Sequence, residues 1–161
     1  MRKSKINISG FKIGTAENRD GLTGVTVILA PDGGATAGVD VRGCAPGTRE
    51  TDLLDPRKTV QKIHAVVLSG GSAFGLEAAS GCVKYLAEQG VGFPIGNVCV
   101  PIVCSAVLFD LMIGDEKAYP DLLMGYEAAK SASSEFLSGC NGAGTGATVG
   151  KLLGFGNAMK S

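Results

Sequence analysis

Runs of apolar and β-branched residues alternate with short polar segments along much of this chain. The first run, 22–30, reads LTGVTVILA and ends at PDGG in 31–34, which predicts a strand followed by a turn. Residues 35–42 alternate well enough to predict the returning strand of a hairpin. The apolar runs 63–69 and 100–109 predict two further strands, both buried.

Two segments, 74–89 and 120–131, have the three- and four-residue spacing of an amphipathic helix. Gly90 follows the first helix where glycine commonly ends one, and Pro120 stands in the first turn of the second. The predicted buried faces are Leu76, Ala79, Val83 and Leu86 in the first helix, and Leu122, Leu123, Tyr126 and Ala129 in the second.

The intervening segments are shorter and more polar. Residues 43–56 predict a loop, 57–62 one helical turn, and 91–93 an extended piece broken at Pro94. Neither an internal repeat nor a linker interrupts this order. Residues 1–161 are therefore expected to form a single domain of the α/β class.

Composition narrows the choice of partners. Fifteen basic and fifteen acidic residues give a formal net charge of zero, and the basic residues do not cluster. A neutral surface has no long-range attraction for nucleic acid or anionic membranes, so neither is expected as a partner. No apolar run approaches the roughly 20 residues of a membrane span, and no apolar stretch follows the basic N-terminus as in a signal peptide.

Cysteine usage predicts the compartment. The chain has five cysteines without CxxC spacing, and one histidine, so a zinc site is not expected. Reduced thiols, mostly buried, in a cytoplasmic protein are the simplest interpretation. We expect neither a metal nor a cofactor.

The glycine-rich segment 141–151, NGAGTGATVGK, invites comparison with phosphate-binding loops. It lacks the Walker A pattern, because Thr145 stands where the first glycine belongs and Leu152 follows the lysine. The dinucleotide-binding pattern also fails, since its third glycine is absent. A turn against which another backbone packs closely is therefore favoured over a phosphate site.

A second glycine cluster, GGSAFGL in 70–76, lies between a predicted strand and a predicted helix. Backbone N–H groups at such a position can bind an anion, but a tight turn that only begins the helix is an equally good interpretation. The spacing differs from the GxSxG motif of serine hydrolases. His64 lies within an apolar strand, which favours a structural role over a catalytic one.

Taken together, several separated segments resemble the L-aminopeptidase/D-esterase family, which includes β-peptidyl aminopeptidases and nylon-oligomer hydrolases. The resemblance covers nearly the whole chain and keeps the family's order and spacing. The segments are TGVTVI in 23–28, GVDVRG in 38–43, APGTRETDLL in 45–54, SGGSAFGL in 69–76, VPIV in 100–103, AVLFD in 106–110 and GAGTGATVGK in 142–151.

This resemblance implies a fold and a chemistry. The fold is a four-layer αββα sandwich like that of N-terminal-nucleophile hydrolases, of which this chain would form an incomplete part. The precursor would cut its own backbone before a Ser or Thr, whose new α-amine then acts as the base for its own hydroxyl. Such an enzyme releases N-terminal residues from peptides, amides or esters, and the family suggests a homo-oligomer of processed protomers.

The resemblance also implies where this sequence falls short. In the family, residues 158–160 would be followed by a glycine-rich strand, an oxyanion-stabilising Asn and then the nucleophile, and Ser161 cannot take that role. Lys151 corresponds to a lysine that contacts the catalytic centre in some members. Phe109 stands where β-peptidyl and nylon-hydrolysing members carry a tyrosine, and Ser72 and Phe74 are expected to line the substrate pocket.

Two hypotheses follow. In the first, the chain is the N-terminal portion of the larger subunit of an aminopeptidase/amidase, and its partner is the downstream processed subunit. In the second, it is a truncated, catalytically inactive scaffold that binds small molecules or serves assembly. On either hypothesis the 161 residues alone would expose sheet edges and apolar faces, so we expect poor solubility.

Overall fold

The computed structural model describes residues 2–160, so Ser161 lies outside the described residues. Two α-helices are present in this range, α1 at Ala78–Glu88 and α2 at Leu122–Lys130. The strands are β1 Arg2–Lys5, β2 Lys12–Asn18, β3 Thr23–Leu29, β4 Thr48–Arg49, β5 Ala65–Ser69, β6 Phe93–Ile95, β7 Val98–Val100, β8 Val103–Val107, β9 Glu135–Ser138, β10 Thr148–Val149 and β11 Met159–Lys160.

A mixed five-stranded sheet of order β2-β3-β5-β8-β4 organises the molecule. Its central strands β5 and β8 run parallel, and the other neighbouring pairs are antiparallel. Short two-stranded sheets, β1-β9, β6-β7 and β10-β11, lie around it. The predicted strands over 22–30, 63–69 and 100–109 are confirmed as β3, β5 and β8, each with shorter bounds.

The predicted hairpin between 22–30 and 35–42 is wrong. Residues 35–42 form no strand and contribute only an isolated bridge from Ala35 to Ile63. The antiparallel partner of β3 is instead β2, in full register from Lys12 opposite Leu29 to Asn18 opposite Thr23. Because β5 occupies the other edge of β3, no hydrogen-bonding edge is left for the segment that follows the turn.

The helices cover one face of the sheet and form the core with it. Val25, Val27, Ala65, Val67 and Val103 point toward them, and all are almost completely buried. The first predicted helix is confirmed in its core, although 72–77 is wound as a 3₁₀-helix before α1 begins. Gly90 follows α1 with φ of 69°, as a helix-ending glycine should.

Of the face predicted for the second helix, only Ala129 is buried. Leu123 is 63% exposed, whereas the buried residues are Gly125, Ala128 and Ala129. The two helices cross with their backbones nearly touching: a Cβ on Gly125 would overlap the carbonyl oxygen of Ala78. Small residues therefore occupy the contact face, and the larger apolar side chains are turned outward.

Three smaller predictions are also corrected. Residues 57–62 contain no helix, and the nearest helical turn is the 3₁₀ turn Asp52–Leu54. Pro94 lies inside β6 rather than ending it, because this two-stranded hairpin leaves an edge that needs no N–H donor. The cysteines are not mostly buried: Cys82 and Cys104 are buried, Cys140 is intermediate, and Cys44 and Cys99 are exposed.

The other face of the sheet is only partly covered. Ile28, Val66, Leu68 and Ala106 point away from the helices, and Leu68 is 39% exposed. Neither helix in residues 2–160 is long and apolar enough to cross a lipid bilayer.

Candidate active site at the carboxyl end of the parallel strands

The candidate site is built where the parallel strands β5 and β8 end at the same edge of the sheet. Gly70, Gly71 and Ser72 follow β5, while Leu108, Phe109 and Asp110 follow β8. Two backbone hydrogen bonds join these exits: Leu108 N donates to Ser69 O at 2.9 Å, and Ser72 N donates to Leu108 O at 3.0 Å. Ligands of open α/β sheets commonly bind at this edge.

The buried carboxylate of Asp110 holds together the segments that follow β5 and β8. Asp110 is 2% exposed, and its Oδ1 accepts from the backbone N–H of Gly71 at 2.6 Å. Its Oδ2 accepts from Thr23 Oγ1, at the start of β3, at 2.8 Å. A Cβ on Gly70 would overlap Oδ2, so glycine is required there by the close approach of the carboxylate.

Asp110 belongs to the segment AVLFD in 106–110, and its role was not predicted from the sequence. The available signal was an acidic residue directly after an uncharged run that extends from Val91 to Phe109. A charged residue in that position is buried only when it is well satisfied, and here three elements converge on it.

Ser72 lies at a strained point of this turn. Gly71 and Ser72 both have left-handed backbones, with φ of 79° and 52°. Such a conformation costs a non-glycine residue about 1–3 kcal/mol and persists only where the surroundings hold it. Here the Asp110–Gly71 hydrogen bond holds it from one side and the Ser72–Leu108 hydrogen bond from the other.

Two exposed aromatic pairs lie beside the turn. Phe74 is 58% exposed and stacks on Tyr119, with ring centroids 4.7 Å apart. Phe109 packs against Phe155 at 5.5 Å with the rings tilted by 45°. Both predicted substrate-binding aromatics therefore lie on the surface at this end of the molecule, where they can contact a ligand.

Lys151 lies further from the turn. It begins the 3₁₀ turn Lys151–Leu153, and its Nζ donates to the carbonyl oxygen of Thr148 at 2.7 Å. The neighbouring turn relates it to the other predicted site residues, because Phe155 of that turn contacts Phe109. The structure thus brings Ser72 and Phe109 together and leaves Lys151 at their margin.

The glycine-rich segment 142–146 closes the site on the open face of the sheet. Ala143 N donates to Thr26 Oγ1 at 3.2 Å, and a Cβ on Gly24 would overlap the carbonyl oxygen of Gly142. This close backbone packing is the structural role expected for the segment. Between it and the ends of β5 and β8 lies an apolar groove of about 320 Å³, lined by Thr26, Leu68, Ser69, Ala106, Val107, Leu108, Ala143 and Gly144.

Among the described residues, the histidine and the two buried thiols are poorly placed to act as an activated nucleophile at this site. The only histidine, His64, lies at the other end of β5, and burial holds its pKa below the usual range. Burial raises the pKa of the Cys82 thiol to about 12 and also raises that of Cys104, so neither is a thiolate at neutral pH. None of these three groups therefore supplies a nucleophile and base at this end of the sheet.

Sequence similarity relates this chain to a known peptidase family. The sequence profile of peptidase family S58 matches residues 5–159. An uncharacterized aminopeptidase of Mycobacterium tuberculosis is 47% identical over 131 residues, which are 81% of this chain and 38% of that protein. A 6-aminohexanoate-oligomer endohydrolase of Paenarthrobacter ureafaciens is 36% identical over 149 residues, 92% of this chain and 39% of that protein.

The fold is also found in solved structures. The L-aminopeptidase D-Ala-esterase/amidase of Ochrobactrum anthropi, described as a variant of the Ntn hydrolase fold, superposes with a TM-score of 0.66 at 18% identity. That match covers 86% of this chain and 42% of the other. The predicted fold class is therefore confirmed, with one sheet and one helix layer visible here. The chain spans less than half the length of these relatives.

Proposed function

Because this chain belongs to peptidase family S58, we propose that it is the N-terminal portion of the larger subunit of a self-processing aminopeptidase/amidase. The substrate is a small peptide, amide or ester that loses its N-terminal residue. The nucleophile is a Ser or Thr on a downstream segment, freed by cleavage of the precursor before it.

One observation carries this proposal. The end of the sheet carries a clamped turn and two aromatic pairs, whereas the only histidine of the described residues lies at the far end of β5 and cannot serve there as a base. A Ser or Thr with a free α-amine would bring both groups in a single residue. A site of this composition needs that residue to become a hydrolase.

The open face of the sheet supports the same arrangement. An apolar sheet face stabilises a protein only when another layer covers it. In our proposal, a second sheet from the downstream subunit covers Ile28, Val66, Leu68 and Ala106, which completes the four-layer sandwich. That sheet would bring the nucleophile to the apolar groove beside Ser69 and Leu108.

We assign the predicted site residues within this frame. Ser72, Phe74 and Phe109 line the substrate pocket, and the aromatic rings bind the apolar part of the N-terminal residue. Lys151 uses one of its three N–H groups on Thr148 and keeps two for the catalytic centre. Its positive charge would stabilise negative charge that develops on the reacting carbonyl. The processed protomers form a homo-oligomer in the cytoplasm.

The test is a denaturing intact-mass spectrum of the protein made from its complete reading frame, followed by assays on amino-acid anilides. We expect two polypeptides, the smaller beginning with Ser or Thr, and hydrolysis that disappears when that residue is replaced by Ala. A single polypeptide near 16.3 kDa without hydrolysis would refute the proposal and favour the inactive scaffold.

A further inference from the structure

A second cavity, of about 360 Å³, lies at the opposite end of β5 from the candidate active site. His64 directly precedes β5 and lines this cavity, while Gly70 directly follows the strand. At about 3.3 Å per residue, the strand separates the two places by roughly 15–20 Å. The cavity is therefore distinct from the site where hydrolysis is proposed.

His64 is held rigidly at the base of this cavity. Its backbone N–H donates to Ile102 O at 2.8 Å, and its carbonyl oxygen accepts from Ala30 N at 2.9 Å. The Nδ1 atom of the ring accepts from Ile102 N at 3.0 Å. An Nδ1 that accepts carries no proton in the neutral ring, so the proton lies on Nε2.

The Nε2–H group is an unused donor. His64 is only 6% exposed, and among residues 2–160 its Nε2 has no hydrogen-bond acceptor. The Cδ2 atom of the ring lies beside Gly34, which has no side chain. Nε2 is not among the fully buried, unpaired side-chain atoms of residues 2–160, which belong to Ser105, Thr145 and Thr148, so it is open to the cavity. A ligand atom that accepts from Nε2–H would replace water at this position.

The other residues that line this cavity favour a negatively charged ligand. Lys62 lines the cavity, and its ammonium group forms no ion pair with any described residue. Thr59 adds a hydroxyl, and no Asp or Glu is among the lining residues. Phe93 and Pro94 form an apolar wall.

We propose that this cavity binds a small monocarboxylate with a flat apolar group. One carboxylate oxygen accepts from His64 Nε2–H and the other from the Lys62 ammonium, while the apolar group lies on Phe93 and Pro94. Free amino acids bind more weakly, because their α-ammonium group would find no carboxylate in the cavity and would face Lys62.

The probe is benzoate, titrated into the protein produced from its complete reading frame and followed by calorimetry and by the NMR signal of the His64 ring. The His64→Asn variant identifies that signal. Benzamide, which has the same shape without the charge, and phenylalanine, which adds an ammonium group, serve as comparison ligands. We expect benzoate to bind and to shift the signal, and both comparison ligands to bind at least about tenfold more weakly.

Two variants separate binding from structure. Asn in place of His64 can still accept from Ile102 N but does not reach into the cavity, and Lys62→Gln removes only an exposed charge. Each should weaken benzoate binding about tenfold or more. Lys58→Gln, an equal charge change on a lysine outside this cavity, should leave it unchanged. Unfolding midpoints of all variants show that the fold is kept.

The outcomes are decisive for this cavity alone. Absence of benzoate binding up to about 50 mM, equal binding of benzamide, or unchanged affinity in both variants would overturn the assignment. Because the readout is binding and not hydrolysis, loss of the proposed enzymatic activity would leave this result standing, and the reverse also holds.

Discussion

At the scale of single residues, Asp110 makes the hydrogen bonds that hold the candidate site together. It satisfies a hydroxyl and a backbone N–H from two other elements while it is itself shielded from water. A buried charged group without a hydrogen-bond partner strongly destabilises the folded protein. The loss of one partner of Asp110 therefore weakens the remaining hydrogen bonds as well. Replacing Asp110 should therefore lower the stability of the protein and also displace Ser72.

Asp110→Asn tests this role. The amide keeps the size of the side chain but presents N–H groups to one of the two donors that now share the carboxylate. We expect a loss of about 1–3 kcal/mol in the free energy of unfolding, measured by urea denaturation. Asp20→Asn, at an exposed position, is the matched control and should change it little. Equal losses in the two variants would contradict the role assigned to Asp110.

Lys151 is tested through activity. If its ammonium group stabilises charge at the reacting carbonyl, Lys151→Met should lower kcat/KM for amino-acid anilides about a hundredfold while the protein remains folded and processed. Lys160→Met, on the exposed strand β11, provides the control. A kcat/KM that is the same in both variants would remove Lys151 from the catalytic centre.

His64 predicts a dependence of stability on pH. Burial lowers its pKa in the folded state, so the unfolded chain takes up this proton at a higher pH than the folded chain does. Between the two pKa values the unfolded state binds more protons, and the free energy of unfolding must therefore rise with pH. Urea unfolding from about pH 5 to pH 7 should show this slope. His64→Asn should reduce it, and an identical slope in the variant would show that other groups are responsible.

At the scale of elements, α1 and α2 cross with their backbones in close contact. Gly81 and Gly125 are both required by it, because a Cβ on either would overlap the backbone of the other helix. Alternative packing with larger side chains would hold the helices further apart, at the usual distance of 8–10 Å or more. Because only small residues fit between the two helices, the larger side chain of Leu123 lies on the exposed side of α2.

The substitution Gly125→Ala raises the helix propensity of α2 but disturbs its packing against α1. Alanine favours a helix by nearly 1 kcal/mol over glycine, but here the added methyl group must displace the Ala78 backbone. We expect packing to dominate, with a net loss of about 1–3 kcal/mol in the free energy of unfolding. Gly38→Ala, where an added Cβ meets open space, is the control for the composition change. Stabilisation by Gly125→Ala would mean that the helices separate easily.

At the scale of the whole molecule, the uncovered sheet face and the apolar C-terminal turns dominate behaviour in solution. Leu68 on the sheet, together with Leu152, Leu153, Phe155 and Met159, presents apolar surface to solvent. Surface of this kind normally lies in an interface. The proposed downstream subunit would cover it.

The 161-residue polypeptide alone should therefore be poorly behaved. We expect size-exclusion chromatography with light scattering to show polydisperse or aggregated material, and co-production with the downstream segment to restore a defined assembly. A monodisperse monomer that unfolds cooperatively would contradict this expectation and would favour the scaffold hypothesis.

Local pattern was sufficient where the signal was long and confined to one segment. The three apolar runs became β3, β5 and β8, and the helix before Gly90 was predicted with Ala79 and Leu86 correctly on its buried face. The family resemblance, which rests on motifs of several residues each, was confirmed by the match over residues 5–159. The roles of Ser72, Phe74, Phe109 and Lys151 stay predictions.

What the sequence by itself determined were the apolar strands, the helix-forming segments and the family, because these depend on residue type and spacing within short stretches. Only the tertiary structure decided that β2, not 35–42, pairs with β3, and that Gly125, Ala128 and Ala129, rather than leucines, form the inner face of α2. It also decided that Asp110 joins the ends of β5 and β8 to the start of β3. Each of these features depends on which segments of the chain contact one another in the folded protein. The local sequence pattern is compatible with several different pairings of segments, so it could not select the correct one.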